Sequence, residues 1–138
     1  MSLEKIIAVT GKPGLYEIIA QSKGGIIVES LIDKKRFPIN AMHNVSVLDN
    51  IAIYTYENEM PLKLIFKTIF EKEEGKECVS HKENNKVLIA YFLEILPNYD
   101  DERVYPSNIK KVLNWYNLLV NYNFDFSTIE EDTDEEEE

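Results

Sequence analysis

The sequence predicts an α+β fold, in which a small SH3-like antiparallel β-barrel precedes three helices and a disordered acidic tail. Short β-prone runs separated by turn residues fill roughly the first 58 residues. Three later stretches repeat apolar residues at helical spacing. Residues 130–138 hold eight of the 25 acidic residues of the chain. These patterns predict a β domain over 1–58, a helical domain over 59–126 and a tail over 127–138.

The predicted barrel consists of short strands joined by tight turns. Thr10 to Gly14 form a dense cluster of turn residues, and the pair Gly24-Gly25 can adopt the positive φ angles of a two-residue hairpin. Pro38 cannot donate a hydrogen bond within a sheet and therefore marks an edge strand. The predicted strands cover residues 4–9, 15–20, 26–31, 35–40, 45–48 and 51–56. Closely spaced strands without an intervening helical period favour a small barrel, and an SH3-like barrel is the simplest closure.

Three amphipathic helices are predicted after residue 58. Asn84 or Asn85 can cap the second helix, and Ser107 is the predicted cap of the third. Pro61 suits the first turn of the first helix, and Pro97 ends the second. The predicted core positions are Leu62, Ile65, Phe66, Ile69 and Phe70; Leu88, Tyr91, Phe92 and Ile95; and Ile109, Val112, Leu113, Tyr116, Leu119 and Val120.

The third helix carries more apolar surface than one buried face needs. Trp115, Leu118, Tyr122 and Phe124 lie off its main stripe. A wide stripe indicates burial on two sides, between the barrel and the other helices. The alternative is an exposed aromatic patch that binds a partner.

Composition places the protein in the cytoplasm and gives it an acidic end. The 138 residues are 44% apolar, enough for a core without disulfides, and Cys78 is the only cysteine. No apolar run approaches the roughly 20 residues of a membrane span. The first 129 residues carry 17 acidic against 15 basic residues. The excess negative charge therefore lies in the tail, which is predicted to be solvated.

Five motifs resemble a family of small uncharacterised proteins from Bacteroidetes bacteria, known only as a domain of unknown function. They are LEKII at 3–7, GKPGLY at 11–16, LDNIAIYT at 48–55, LPNYD at 96–100 and WYN at 115–117. The resemblance extends to about Phe126. It implies a small β domain followed by helices, and it carries no activity, cofactor or catalytic residue.

Motifs for catalysis or metal binding are sparse. Cys78 and His81 lie three residues apart, but zinc needs four ligands and His43 is the only other histidine. The same pair could form a nucleophile and its base, yet it lies in an irregular loop where geometry is hard to hold. We therefore predict no enzyme activity, no cofactor and no metal, and keep a Cys78–His81 enzyme as a minor alternative.

The sequence thus predicts a non-catalytic cytoplasmic interaction or adaptor module with an unknown protein partner. One candidate surface is the turn and strand containing Lys12, Pro13, Gly14 and Tyr16, and the other consists of Trp115 and Tyr122.

The alternative function is nucleic-acid binding. Lys34, Lys35 and Arg36 lie beside Phe37 at a predicted hairpin tip, and Lys110 and Lys111 lie on the third helix. The acidic tail and the weakly negative body disfavour a phosphate backbone as the ligand.

Overall fold

The computed structural model describes residues 3–12, 14–40, 44–124 and 126, and it has an α+β fold. Pro13, His43 and the predicted tail at 127–138 lie outside the described residues. The strands are β1 (Ile6–Val9), β2 (Tyr16–Ser22), β3 (Gly25–Ser30), β4 (Arg36–Asn40), β5 (Val45–Val47), β6 (Ala52–Tyr54) and β7 (Glu59–Pro61). The helices are α1 (Leu62–Lys72), α2 (Asn85–Ile95) and α3 (Pro106–Asn121).

Five strands form one antiparallel sheet in the order β4-β3-β2-β1-β5. Lys23 and Gly24 form the two-residue turn between β2 and β3, one residue earlier than the predicted Gly24-Gly25 pair, because Gly25 already pairs with Ser22 as the first residue of β3. Of the two glycines only Gly25 has a positive φ. The β2–β3 register shifts between Ile18 and Ala20. Strands β4 and β5 are the two edges, and no ladder joins them among the described residues. The structure therefore contains a five-stranded antiparallel sheet, as part of the prediction requires. Among the described residues, hydrogen bonds do not close this sheet into a barrel.

The two faces of this sheet pack into different cores. One face joins the helices through Ile6, Leu15 and Leu31. The other face forms a second cluster, which we call the sheet cluster and whose buried members are Ile7, Val9, Tyr16, Val28 and Ile39. Its half-buried members, among them Phe37 and Val47, also come from the five strands. The sheet therefore buries this face against itself.

Strand β6 lies outside the main sheet, which corrects the expected placement of a barrel strand at 51–56. It pairs with β7 in a separate hairpin, in the register Ile53↔Met60. The Thr55 hydroxyl closes the turn by donating to the Asn58 carbonyl oxygen at 2.9 Å. Thr55 also bridges to Tyr99, so the segment after α2 extends this small sheet.

The three helices bury the positions that periodicity selects. The predicted core residues of all three helices are buried, with two exceptions. Phe70 in α1 and Val120 in α3 are half-buried and pack against the same core. The core includes residues from both sides of position 58. The division into domains at 58/59 stays a prediction.

Helix caps are confirmed in one case and corrected in another. Asn84 caps α2, because its Oδ1 accepts the Val87 N–H at 3.0 Å. Ser107 does not cap α3, since that helix already begins at Pro106. Instead, the Tyr105 N–H donates to Asn108 Oδ1 at 2.8 Å.

In the part of the chain that is described, no helix combines the length and apolarity needed to cross a membrane.

Candidate functional site

A groove runs along α3 on the side that faces the turn after β1. Its larger part is a cavity of about 340 Å³ between α3 and the turn residues Thr10, Gly11, Lys12 and Gly14. A second cavity of about 220 Å³ continues along α3 toward β6 and Arg103. Lys111 and Trp115 line both cavities. We call these two adjoining cavities the α3 groove.

Gly14 packs closely against Ile32 and lies within ordinary contact distance of Leu118 on α3. Gly14 has φ +82°, and a side-chain carbon there would lie 2.6 Å from Ile32 Cδ1 and 3.9 Å from Leu118 Cδ1. Only glycine fits this conformation and this spacing without displacing its neighbours. The turn itself is held by the Lys12 N–H, which donates to the Val9 carbonyl oxygen at 3.0 Å.

The groove has positive charge and no acidic lining. Lys12, Arg103 and Lys111 line it, and neither cavity is lined by an Asp or Glu residue. Arg103 already donates to Asp100 at 2.9 Å, and this hydrogen bond holds the pKa of Asp100 below its ordinary value. The Arg103 guanidinium also lies 4.2 Å from the centre of the Tyr54 ring. The Lys12 ammonium lies 4.9 Å from the Phe37 ring centre. Lys111 has no ion pair or hydrogen bond with any residue that the structure describes.

Trp115 provides the apolar wall of the groove. Its side chain is half-buried and packs against the main core. Its indole N–H has no hydrogen-bond acceptor within the described chain. A large ring with one wet edge is typical of positions that contact a partner.

Three of the predicted partner-binding residues meet in this groove, namely Lys12, Gly14 and Trp115. Tyr16 lies elsewhere, because it is 6% exposed and its ring packs edge-on against Phe37 at 5.3 Å in the sheet cluster. Pro13 cannot be placed, since it is outside the described residues.

Tyr122 is half-buried and makes contacts within the protein. Its hydroxyl donates to Glu17 at 2.6 Å, and the Lys34 ammonium lies 3.4 Å from its ring centre. Two residues proposed for different functions therefore contact each other.

The basic cluster of the nucleic-acid alternative has only one cation without a side-chain contact. Lys34 lies on Tyr122, and Arg36 forms an ion pair with Glu29 at 3.0 Å on the neighbouring strand. Lys35 is exposed, with its backbone N–H donating to Asp33 at 3.0 Å. These contacts compete with phosphate for two of the three predicted cations.

Cys78 has the surroundings of a structural residue. It is 9% exposed, and its thiol lies 3.7 Å from the Leu113 carbonyl oxygen. Burial, together with the nearby Glu73 charge, raises the pKa of Cys78 to about 12. Asn117 holds the backbone here by accepting the Cys78 N–H at 2.8 Å. Among the described residues, which exclude His43, no group of three or more His, Cys, Asp or Glu side chains could hold a metal ion.

Sequence reasoning did not assign Lys111, Asn114 or Arg103 to a common site. The helical period could have found Lys111, because it lies four residues before Trp115 and so shares its face of α3. No local pattern could have found Arg103, which precedes the helix and reaches the groove through its contact with Tyr54.

Comparisons with known proteins cover nearly the whole chain. Residues 3–48 match a domain of unknown function, DUF5606, and residues 51–119 match a second one, DUF6852. The chain is 42% identical to a protein from Bacteroides vulgatus with a solution NMR structure from a structural genomics programme, over 90% of this chain and 89% of that chain, with a TM-score of 0.69. No curated protein matches it. In this chain DUF5606 precedes DUF6852, and these matches together with the Bacteroides vulgatus relative confirm the resemblance: the protein belongs to an uncharacterised Bacteroidetes family.

Proposed function

We propose that this protein is a non-catalytic interaction module of the cytoplasm, and that its α3 groove binds a carboxylate-rich segment of a partner protein. One observation carries the proposal. Lys12, Lys111 and Arg103 line the groove and no acidic residue does, in a chain with a net charge of −10. Arg103 is already paired with Asp100 and Lys12 lies over Phe37, so Lys111 is the cation that has no described partner. A desolvated carboxylate needs cationic or N–H donors around it. Lys111 and the Trp115 indole supply donors that no described residue uses.

The apolar wall argues for a peptide rather than a free anion. Trp115 lies at the junction of the two cavities, between Ala8 and Val9 on one side and Ile53 and Val112 on the other. A half-buried tryptophan among apolar side chains resembles the centre of a protein interface, where one aromatic side chain contributes much of the binding energy. A segment that combines carboxylates with one apolar side chain would contact both kinds of surface.

The state of Cys78 supports the non-catalytic and cytoplasmic parts of the proposal. A nucleophilic cysteine needs a lowered pKa and access to solvent. Cys78 has a raised pKa and is buried, so its thiolate is scarce at neutral pH. A single buried thiol is also the usual state of cysteine in a reducing compartment.

We also propose that the five-stranded sheet curls into an SH3-like barrel. Strands β4 and β5 are opposite edges, which in a flat sheet would lie about 19 Å apart at the usual spacing of strands. The five steps from Asn40 to Val45 span at most about 18 Å. The self-buried sheet cluster also supports curling. Nuclear Overhauser contacts between residues 36–40 and 45–47 test closure, and their absence from an assigned spectrum would leave an open sheet.

Trp115 fluorescence can test the binding site directly, because Trp115 is the only tryptophan. The full chain is titrated with nine-residue peptides that are acidic, basic or uncharged, each containing one Leu, and with a single-stranded oligonucleotide. We expect only the acidic peptides to change the emission. Lys111→Glu should weaken that binding about tenfold, because an attraction becomes a repulsion. Lys110→Glu is the matched control, since the neighbouring Lys110 does not line the groove.

Two results would reject the peptide site. One is an equal loss of acidic-peptide binding in the Lys110 and Lys111 variants, and the other is the absence of any peptide response. Oligonucleotide binding that falls when Lys34, Lys35 and Arg36 are changed to Ala would instead support the nucleic-acid function.

A further inference from the structure

The occupant that best fits the α3 groove is a part of this chain. We infer that the acidic residues 130–138 bind in the groove of the same molecule and compete there with the partner. This inference rests on the proposed function, because it assigns a regulator to the same site.

Charge complementarity is the first support. Residues 130–138 have the sequence EEDTDEEEE, with eight carboxylates and no base. Like charges this dense repel one another, and contact with cations relieves that repulsion. The α3 groove is lined by three cations and no acid; Arg103 is paired with Asp100, and Lys111 has no partner in the described chain.

The point where the described chain ends makes the groove reachable. Phe126 packs against Phe70 and Tyr116, with ring centres 4.6 Å and 5.4 Å apart. Tyr116 is the neighbour of Trp115 on α3, and Lys111 lies about 7.5 Å further back along the helix axis at the usual rise. The twelve residues after Phe126 can extend to about 40 Å. A helix with its side chains is only about 10–12 Å wide. The segment can therefore pass around α3 and lie along the groove.

The tether makes weak contacts effective. A short flexible connection holds its end at an effective concentration in the millimolar range. The acidic segment can then occupy the groove even if a free peptide of the same sequence binds only with millimolar affinity. A partner must displace it, so neutralising the tail should strengthen partner binding about twofold when the effective concentration equals the dissociation constant of the tail. Salt should have the same effect as neutralisation on the tail contact, since it screens exposed charges.

The test uses the full-length chain and a neutral-tail variant, in which each Glu of 130–138 is changed to Gln and each Asp to Asn. The readout is the indole N–H signal of Trp115 in a proton–nitrogen correlation spectrum. At low salt, we expect this signal to differ between wild type and the neutral-tail variant. The difference should disappear at about 0.5 M salt. Adding the free peptide EEDTDEEEE to the neutral-tail variant should move its signal toward the wild-type position.

Two controls assign the effect to the groove and to one molecule. Lys111→Glu with the native tail should give the neutral-tail spectrum, whereas Lys110→Glu should keep the wild-type spectrum. The signal should not depend on protein concentration. A concentration-dependent signal would overturn the inference, because it would place the tail in the groove of a second copy.

Different results would reject the tail contact and the peptide-binding function. Identical Trp115 signals in wild type and the neutral-tail variant at low salt would overturn the inference. If the neutral-tail variant then still bound acidic peptides in a Lys111-dependent way, the groove would keep its proposed function without self-regulation. If acidic peptides had no effect on that variant either, both proposals would be wrong.

Discussion

The ammonium group of Lys34 lies 3.4 Å from the centre of the Tyr122 ring, while the Tyr122 hydroxyl donates to Glu17 at 2.6 Å. Tyr122 therefore connects the tip of the β3–β4 hairpin, strand β2 and the end of α3. An ammonium over an aromatic face and a hydrogen bond to a carboxylate are both favourable contacts. This side chain therefore fixes the C-terminal end of α3 to the sheet.

Tyr122→Phe should lower the free energy of unfolding by about 1 kcal/mol, the usual net value of one hydrogen bond. The ring and its contact with Lys34 remain in this variant. Tyr122→Ala removes both contacts and should cost more. Urea denaturation at pH 7 measures the two changes, and equal losses in both variants would show that the ring contributes nothing.

Alkaline pH should weaken the protein in part through Tyr122. The hydrogen bond to Glu17, followed by burial, raises the pKa of Tyr122 from 10.0 to about 12. The folded state therefore holds this proton more tightly than the unfolded state. The resulting stability is fully present below pH 10 and is lost as the pH rises toward 12. Melting temperatures from pH 8 to pH 12 should fall less steeply for Tyr122→Phe than for wild type. Parallel curves would contradict the raised pKa.

Gly25→Ala should destabilise the protein by about 2–3 kcal/mol, the range of overpacked sites. A Cβ there would lie 2.0 Å from the Ile39 carbonyl oxygen, and φ is +154°. The clash is with backbone of β4, which cannot move without breaking the ladder. Gly24→Ala is the matched control, since nothing lies within 4 Å of its added carbon. It should change stability by less than about 0.5 kcal/mol in the same melts. Similar losses of stability in both variants would contradict the observed register between β3 and β4.

Helix cores could be predicted from sequence because one period governs them. Leu88, Tyr91, Phe92 and Ile95 recur every three to four residues, and all are buried. Burial on one side of a helix imposes that spacing on any sequence that folds this way. The Asn84 cap was predictable for a similarly local reason, since its side chain bonds to a backbone group three residues later.

Elements defined by partners far away in sequence were not predictable. Strand β7 has only three residues, including Glu59 and Pro61, and it is a strand because β6 pairs with it. The Ser107 cap was wrong because Pro106 occupies the first helical position, where its missing N–H costs nothing.

The site was predictable only in pieces. Lys12 and Trp115 were each selected from local patterns, but about a hundred residues separate them. They meet because the turn after β1 packs beside α3, a contact that no local period encodes.

Cys78 should react slowly in the native protein. Its pKa of about 12 and its burial keep the thiolate fraction low at pH 8, and the thiolate is the reactive form. A coloured disulfide reagent should modify Cys78 quickly only after unfolding in urea. Fast native labelling, slowed by His81→Ala, would contradict this and support the Cys78–His81 enzyme.

Trp115→Ala should cost about 2 kcal/mol, less than the roughly 3–5 kcal/mol of a fully buried tryptophan. Trp115 is only half-buried, and its exposed part lines the groove. Leu113→Ala is the control for a core residue of the same helix, because Leu113 is 0% exposed. It should cost at least as much, although leucine is smaller, since it leaves a closed cavity. The Trp115 variant should remain folded yet lose binding of a labelled acidic peptide, measured by fluorescence anisotropy. If it unfolds in mild urea, Trp115 acts mainly as core; if it is folded and binds normally, the groove does not use its tryptophan.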